Sequence, residues 1–266
     1  MGKSDTPIIE DWKTYRLSFQ EQAEAIVAEL TTEEKISLMS GRLTREEIRS
    51  QILNKKKTHY NETPYWAGGL ARKNVMPILF VDGSRGVVCQ RGVYTAFPAE
   101  ILRGATFDRE LETEIGAAIA EEVLYAGGNL FGGVCVNLPY HPGWGRMQEC
   151  YGEDSYLLGE MGSALVRGVQ SRGVIACVKH YAFNSMENNR LNVNIVGAPG
   201  IVVEREERLL KGFARIHLKE NEEQSVTMEC PLEELTYFDE ESGEMVLEQG
   251  TYRIFVEDLQ AEILIK

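Results

Sequence analysis

Three short apolar runs separated by two long amphipathic stretches constrain the fold of this chain more than any other feature. The runs cover residues 75–81, 129–137 and 174–178, and each has the length of a strand without polar alternation. A strand that is apolar on both faces is typical of a parallel sheet covered by helices. The order strand, helix, strand, helix, strand predicts consecutive βαβ units and therefore an α/β fold.

The two amphipathic stretches have clear helix start signals. Asp108 and Asp154 are good N-cap residues, and glycines at 127, 128 and 173 follow the predicted helices. Each stretch places apolar residues on one face at helical spacing: Leu111, Ile115, Ala118, Ile119 and Val123 in the first, and Leu157, Leu158, Met161, Leu165 and Val169 in the second. Upstream, residues 15–60 are predicted to be helical, with capping boxes at 31–34 and 44–47.

After residue 200 the apolar period changes to two. Residues 226–230, 252–256 and 261–265 alternate, with turn signals between them, which predicts a small antiparallel β module of sandwich type. Charge changes at the same place, since residues 201–266 have 17 acidic and 7 basic residues. We therefore predict two domains, 1–196 and 201–266, joined by a turn-like segment at 196–200. We interpret the acidic residues as a solvated β surface; an acidic interaction tail is the alternative.

Composition excludes several classes of function. The net charge of −13 argues against nucleic acid and anionic membranes as partners. No apolar run has the length of a membrane span and no secretory signal is visible, so a cytoplasmic location is expected. The five cysteines form no close pair, which is typical of reduced thiols. The four histidines lack metal-ligand spacing, and we expect neither a metal nor another cofactor.

Charged and aromatic side chains follow each predicted strand. Asp82 ends the first, the second is followed by Tyr140, Trp144 and Arg146, and the third leads into Lys179 and His180. The carboxyl ends of parallel strands form one rim, where α/β proteins bind ligands. Such a combination of side chains suits a sugar, because carboxylates and cations can hold pairs of hydroxyls and an aromatic ring can lie against the C–H face. Taken singly, each residue has a plainer interpretation: Asp82 as a turn former, Arg146 and Glu149 as a local ion pair, Lys179 and His180 as an ordinary strand end.

The order and spacing of motifs over residues 75–195 resemble the N-terminal barrel of glycoside hydrolase family 3, which includes many β-glucosidases. The motifs are FP with ATFD at 97–108, GR…E…GED at 145–154, and KH…N…ENNR at 179–190. Residues 203–266 are similar to the late part of the family's fibronectin type III-like domain. The resemblance implies a partial (β/α) TIM-type barrel followed by a small antiparallel β-sandwich piece.

The resemblance also implies roles for the rim. In the family, positions matching Asp82, Arg146, Lys179 and His180 hold hydroxyls of the terminal sugar, and we expect the same here. Trp144 is a further substrate-binding candidate from its chemistry alone, as is Tyr140. The expected partner is therefore a carbohydrate, a β-glucoside or an oligosaccharide.

No catalytic residue can be assigned from the sequence. The family's nucleophilic aspartate lies in a Ser-Asp-Trp-like motif after a later barrel strand, and this chain contains no such motif. By comparison with the family, the chain is truncated internally: the second half of the barrel and the following domain are missing near residue 200. Two hypotheses remain open: hydrolysis of β-glycosides, and a non-catalytic sugar-binding remnant or deletion product. Because a partial barrel exposes strand edges, a homodimer that closes the barrel is a third expectation.

Overall fold

The computed structural model describes residues 12–42, 60–89, 92–140, 142–181, 184–185, 210–213, 216–239, 242–256 and 259–266. The chain divides into two compact units, Met1–Arg208 and Leu209–Lys266. The predicted boundary at 196–201 lies outside the described residues and stays a prediction. The predicted capping box at 44–47 and the predicted turn-like junction also lie outside them.

The first unit has an α/β architecture with helices at its start. The described helices and strands follow in this order: α1 Trp12–Leu17, α2 Gln20–Ala28, α3 Thr32–Leu38, β1 Tyr65–Ala67, β2 Ile78–Asp82, α4 Glu100–Gly104, α5 Arg109–Tyr125, β3 Leu130–Cys135, α6 Ser155–Gln170 and β4 Ile175–Lys179. Short 3-10 turns occupy Ala71–Lys73 and Met147–Glu149.

One four-stranded sheet has the order β1-β2-β3-β4. Strands β2, β3 and β4 are parallel, as the three apolar runs predicted, and β1 adds an antiparallel strand that the sequence analysis missed. Helices α5 and α6 each connect two parallel strands. This is the β/α repeat of a barrel, and the predicted α/β class is confirmed.

The predicted helix caps are present. The carboxylates of Asp108 and Asp154 accept hydrogen bonds from the backbone N–H groups of Leu111 and Leu157, each at 2.9 Å. Thr31 and Glu34 form the reciprocal capping box that opens α3. These side chains satisfy N–H groups that a helix cannot pair internally, so each helix begins where its cap stands.

The core of this unit lies between the sheet and its two long helices. The predicted stripes of α5 and α6 supply it together with strand residues, and these side chains are fully buried: Val81, Ile119, Val123, Phe131, Val134, Met161, Leu165 and Val169. Burial of apolar area on this scale is the main stabilising contribution to such a unit.

The second unit contains two hairpins. These are β5 Tyr237–Asp239 with β6 Glu244–Val246, and β7 Gly250–Val256 with β8 Leu259–Ile265. The alternation at 252–256 and 261–265 therefore predicted strands correctly. The strand predicted at 226–230 is wrong, because these residues are exposed and form no strand pairing within the described part of the chain. An apolar period of two makes a strand only where a neighbouring strand satisfies its backbone groups.

Candidate functional site

Asp82 is the last residue of β2 and lies at the centre of a hydrogen-bond network. Its Oδ1 accepts hydrogen bonds from Lys179 Nζ and from the N–H of Gly83, each at 2.8 Å. Its Oδ2 accepts one from the Tyr60 hydroxyl at 2.7 Å. Gly83 has φ 151°, a conformation suited to glycine, and this turn brings its N–H back to the carboxylate.

The charge on Asp82 is stabilised by these contacts. Burial alone would raise the pKa of Asp82, but the hydrogen bond and positive charge of Lys179, with the Tyr60 and Gly83 donors, lower it below its ordinary value. Burial and the neighbouring carboxylate raise the pKa of Tyr60, so its phenol keeps its proton and remains a donor. Asp82 is therefore an ionised carboxylate paired with an ammonium group.

Arg146 and His180 form the second part of the rim. Arg146 pairs with Glu149 through Nε to Oε1 at 3.0 Å and Nη2 to Oε2 at 2.7 Å. Its Nη2 also lies 3.4 Å from Nε2 of His180. The local ion pair between Arg146 and Glu149, which the sequence analysis named as the plainer interpretation, is thus present. It holds the guanidinium beside the imidazole of His180.

The ends of the parallel strands bring these residues together. Lys179 ends β4 and pairs with Asp82 at the end of β2, while His180 follows Lys179 directly through a cis peptide bond. The side chains of Asp82, Arg146 and Lys179 keep 17–22% of their surface exposed. Four of the five predicted site residues therefore lie in two adjoining networks at one edge of the sheet.

Trp144 is not exposed at the rim, as an aromatic ring that stacks on a sugar would be. Its side chain is only 5% exposed, and its indole N–H finds no hydrogen-bond acceptor within the described part of the chain. Tyr140 is 82% exposed. A buried ring offers little face for stacking on a sugar, so the substrate-binding role of Trp144 stays a prediction.

Three residues of the site were missed by sequence reasoning. Tyr60 reaches Asp82 from 22 positions away, and the buried Asn61 accepts a hydrogen bond from the Asp82 N–H at 2.8 Å. Asn137 contacts the backbone and ring of His180. Asn137 ends the second apolar run as Asp82 ends the first, and that position was the available signal. Nothing in the sequence near residues 60–61 indicated contact with β2.

No cluster of three or more His, Cys, Asp or Glu within the described ranges could hold a metal ion. Among the same residues, no helix has the length and apolar character needed to cross a bilayer.

The fold and the rim define an α/β protein of the barrel type, with polar groups at the carboxyl ends of its parallel strands. Residues 37–213 match the sequence model of the glycosyl hydrolase family 3 N terminal domain. Residues 196–260 match that of the fibronectin type III-like domain. Since the first match covers more than half of the chain, the chain belongs to glycosyl hydrolase family 3.

Relatives support the same assignment. The chain is 34% identical over 186 residues to beta-glucosidase B of Emericella nidulans, and this alignment covers 67% of the chain and 20% of the relative. It is 30% identical to thermostable beta-glucosidase B of Acetivibrio thermocellus, over 64% of this chain and 22% of the relative. The chain thus spans about a fifth of the length of these curated relatives.

Solved structures share the fold. Beta-glucosidase 3B of Thermotoga neapolitana in complex with alpha-D-glucose is 32% identical, with a TM-score of 0.54 over 64% of this chain and 24% of that one. The beta-D-glucoside glucohydrolase of Trichoderma reesei is 28% identical, with a TM-score of 0.56 over 68% and 23%.

Proposed function

We propose that this chain binds the terminal sugar of a β-glucoside and that it acts in hydrolysis of the glycosidic bond. The observation that carries the proposal is the pairing of Lys179 with Asp82 at the strand ends, beside Arg146 and His180. These groups supply fixed acceptors and donors of the kind that hold vicinal hydroxyls. The relatives named beta-glucosidase, and the neighbour that holds glucose, favour glucose as the sugar.

A second candidate function is sugar binding without turnover. Retaining hydrolysis needs two carboxyl groups roughly 5 Å apart, one of them free to attack. Asp82 accepts hydrogen bonds from Lys179 and Tyr60, and Glu149 accepts them from Nε and Nη2 of Arg146. Within the described residues of the rim, neither carboxylate is free to act as the nucleophile. Hydrolysis by this chain therefore requires a carboxylate from another part of the chain or from a second copy.

The first test measures binding of D-glucose by calorimetry and release of p-nitrophenol from the β-glucoside, β-xyloside and N-acetylglucosaminide. Asp82→Ala removes a charge-assisted acceptor, and we expect glucose affinity to fall roughly 10- to 100-fold. Any turnover should fall with it. Glu121→Ala is the matched control, because the one ion pair of Glu121 among the described residues is a surface pair with Arg172 at 2.9 Å.

The outcomes separate the two functions. Turnover that disappears in Asp82→Ala supports the hydrolase. Glucose binding without turnover supports the sugar-binding protein. If the wild-type chain neither binds glucose nor releases any of the chromophores, both proposed functions are contradicted.

A further inference from the structure

Asn137 is a buried amide whose orientation is determined by its neighbours. Its Oδ1 accepts a hydrogen bond from the backbone N–H of His180 at 3.1 Å, and its Nδ2 donates to the carbonyl oxygen of Asn184 at 3.2 Å. A backbone N–H can only donate and a carbonyl can only accept, so exchanging the amide oxygen and nitrogen would break both contacts. The oxygen of Asn137 therefore faces His180.

The same oxygen lies 2.8 Å from Nδ1 of the His180 ring. An amide oxygen can only accept, so Nδ1 carries the proton. In a neutral imidazole the other nitrogen then has a lone pair. That nitrogen, Nε2, lies 3.4 Å from Nη2 of Arg146, a group that can only donate. Contacts on opposite sides of the ring thus require the same tautomer.

We infer that Asn137 is a positioning residue that holds His180 in the Nδ1–H tautomer and keeps the Nε2 lone pair facing Arg146. The opposite tautomer would place an N–H against the guanidinium N–H groups and would leave the buried oxygen of Asn137 with one donor fewer. Glu149 accepts hydrogen bonds from Nε and Nη2 of Arg146, so the same Nη2 that faces His180 is fixed by this carboxylate.

The tautomer has a consequence for ligands. With the proton on Nδ1, His180 Nε2 can only accept from a ligand hydroxyl, and that hydroxyl must replace Arg146 at the single lone pair, whereas Lys179 and Arg146 can only donate. A hydroxyl can satisfy both kinds of group in turn, because it donates through its hydrogen and accepts through its oxygen. The inference itself concerns the protein without ligand and does not depend on the proposed function.

The direct test is ¹⁵N NMR of the imidazole nitrogens in the uniformly labelled full chain, recorded where the ring is neutral. His180 is assigned by the signals that disappear in His180→Gln, among the four histidines of the chain. We expect a protonated Nδ1 and an unprotonated Nε2, in a ratio to the other tautomer of at least about 10:1, from the energy of one buried hydrogen bond. A protonated Nε2 in the wild-type protein overturns the inference.

Two variants assign the effect to Asn137. Asn137→Asp keeps an acceptor oxygen, and we expect it to retain the Nδ1–H tautomer. Asn137→Leu removes the acceptor, and the ratio should fall, because the Arg146 contact alone then favours Nδ1–H. An unchanged ratio in Asn137→Leu overturns the role of Asn137.

Asn129 provides a matched control. It accepts a hydrogen bond from Leu79 N–H at 2.7 Å and donates to the Pro77 carbonyl at 2.9 Å, away from His180. Asn129→Leu should lower stability without altering the His180 signals, and an equal change of tautomer in both leucine variants contradicts the inference. If Asn137→Leu does not fold, the wild-type and Asn137→Asp spectra decide the outcome.

Discussion

At the scale of single residues, Glu100 is a buried carboxyl group whose two oxygens have no hydrogen-bond partner among the described residues. It is fully buried in α4, and its only ionic partner among the described residues is Arg103, with Nη2 at 3.2 Å from Oε1. Arg103 is shared with Glu112, which accepts hydrogen bonds from Arg103 at 2.9 Å and from the Tyr151 hydroxyl at 2.7 Å. Two buried carboxyls thus share one guanidinium.

Burial, together with the smaller effect of the Glu149 and Glu112 carboxylates, raises the pKa of Glu100 to about 7 against the opposing charge of Arg103. Because the unfolded chain has an ordinary glutamate, the folded state binds this proton more tightly. The resulting stabilisation is complete below pH 4.5 and is lost as the pH rises through about 7.

Glu100→Gln should remove this pH dependence. The free energy of unfolding of the variant should match the wild type near pH 4 and exceed it by up to roughly 3 kcal/mol at pH 8, from 1.36 kcal/mol per unit of pKa. Urea unfolding at several pH values measures it. Glu153→Gln, at an exposed position, is the control and should follow the wild-type curve. Parallel curves for Glu100→Gln and the wild type would contradict the assignment.

At the scale of elements, two glycines determine how closely α5 and α6 pack. A Cβ on Gly168 would lie 2.1 Å from the carbonyl oxygen of Thr113, and one on Gly116 would lie 2.6 Å from that of Leu165. The Thr113 hydroxyl also donates to the Ala164 carbonyl at 3.2 Å across the same interface. The backbones approach here because no side chain separates them.

Gly168→Ala should therefore destabilise the protein, although alanine favours a helix. The clash is with backbone, which cannot move without shifting a helix, and overpacking of this kind costs about 1–3 kcal/mol. Gly159→Ala in the same helix meets nothing within 4 Å and should gain up to about 1 kcal/mol from helix propensity. Thermal and urea unfolding of both variants should shift in opposite directions; a shift of the same sign would count against the close crossing.

At the scale of the whole molecule, the described sheet leaves β4 paired with β3 alone. Ile175 and Val178 on this strand are 47% and 55% exposed. Unpaired strand edges are templates for association, and two partial barrels can cover each other's edges. We therefore propose a homodimer, which would also allow a second copy to supply the carboxylate that the rim lacks.

Light scattering after size-exclusion chromatography at micromolar concentration tests this proposal. We expect twice the chain mass of 29.9 kDa for the wild type. Val178→Lys places a charge at the exposed strand position and should shift the equilibrium toward the monomer. Leu124→Lys on α5, 47% exposed and outside the sheet, is the control and should leave the mass unchanged. A wild-type monomer would exclude the dimer.

The sequence by itself determined the features that depend on neighbouring residues. Hydrophobic periodicity predicted the three parallel strands and the two helices between them, and Asp108 and Asp154 identified the helix starts, because caps and stripes act over one or two turns. Asp82 and Lys179 could be assigned to one rim, since parallel strands end at the same edge. Arg146 and His180 follow the second and third strands toward the same rim, and the motifs resembling family 3 added the expectation that these four residues hold sugar hydroxyls.

Only the tertiary structure decided which distant groups meet. Tyr60 and Asn61 contact β2 across about twenty positions of sequence, and Asn137 sets the ring of His180 from 43 positions away. The alternation at 226–230 did not become a strand, because none of the described strands pairs with it. Burial is likewise a property of the packed molecule: Trp144 is enclosed while Tyr140, four residues earlier, is exposed. Contacts of this kind depend on the whole arrangement of elements, which local periodicity does not encode.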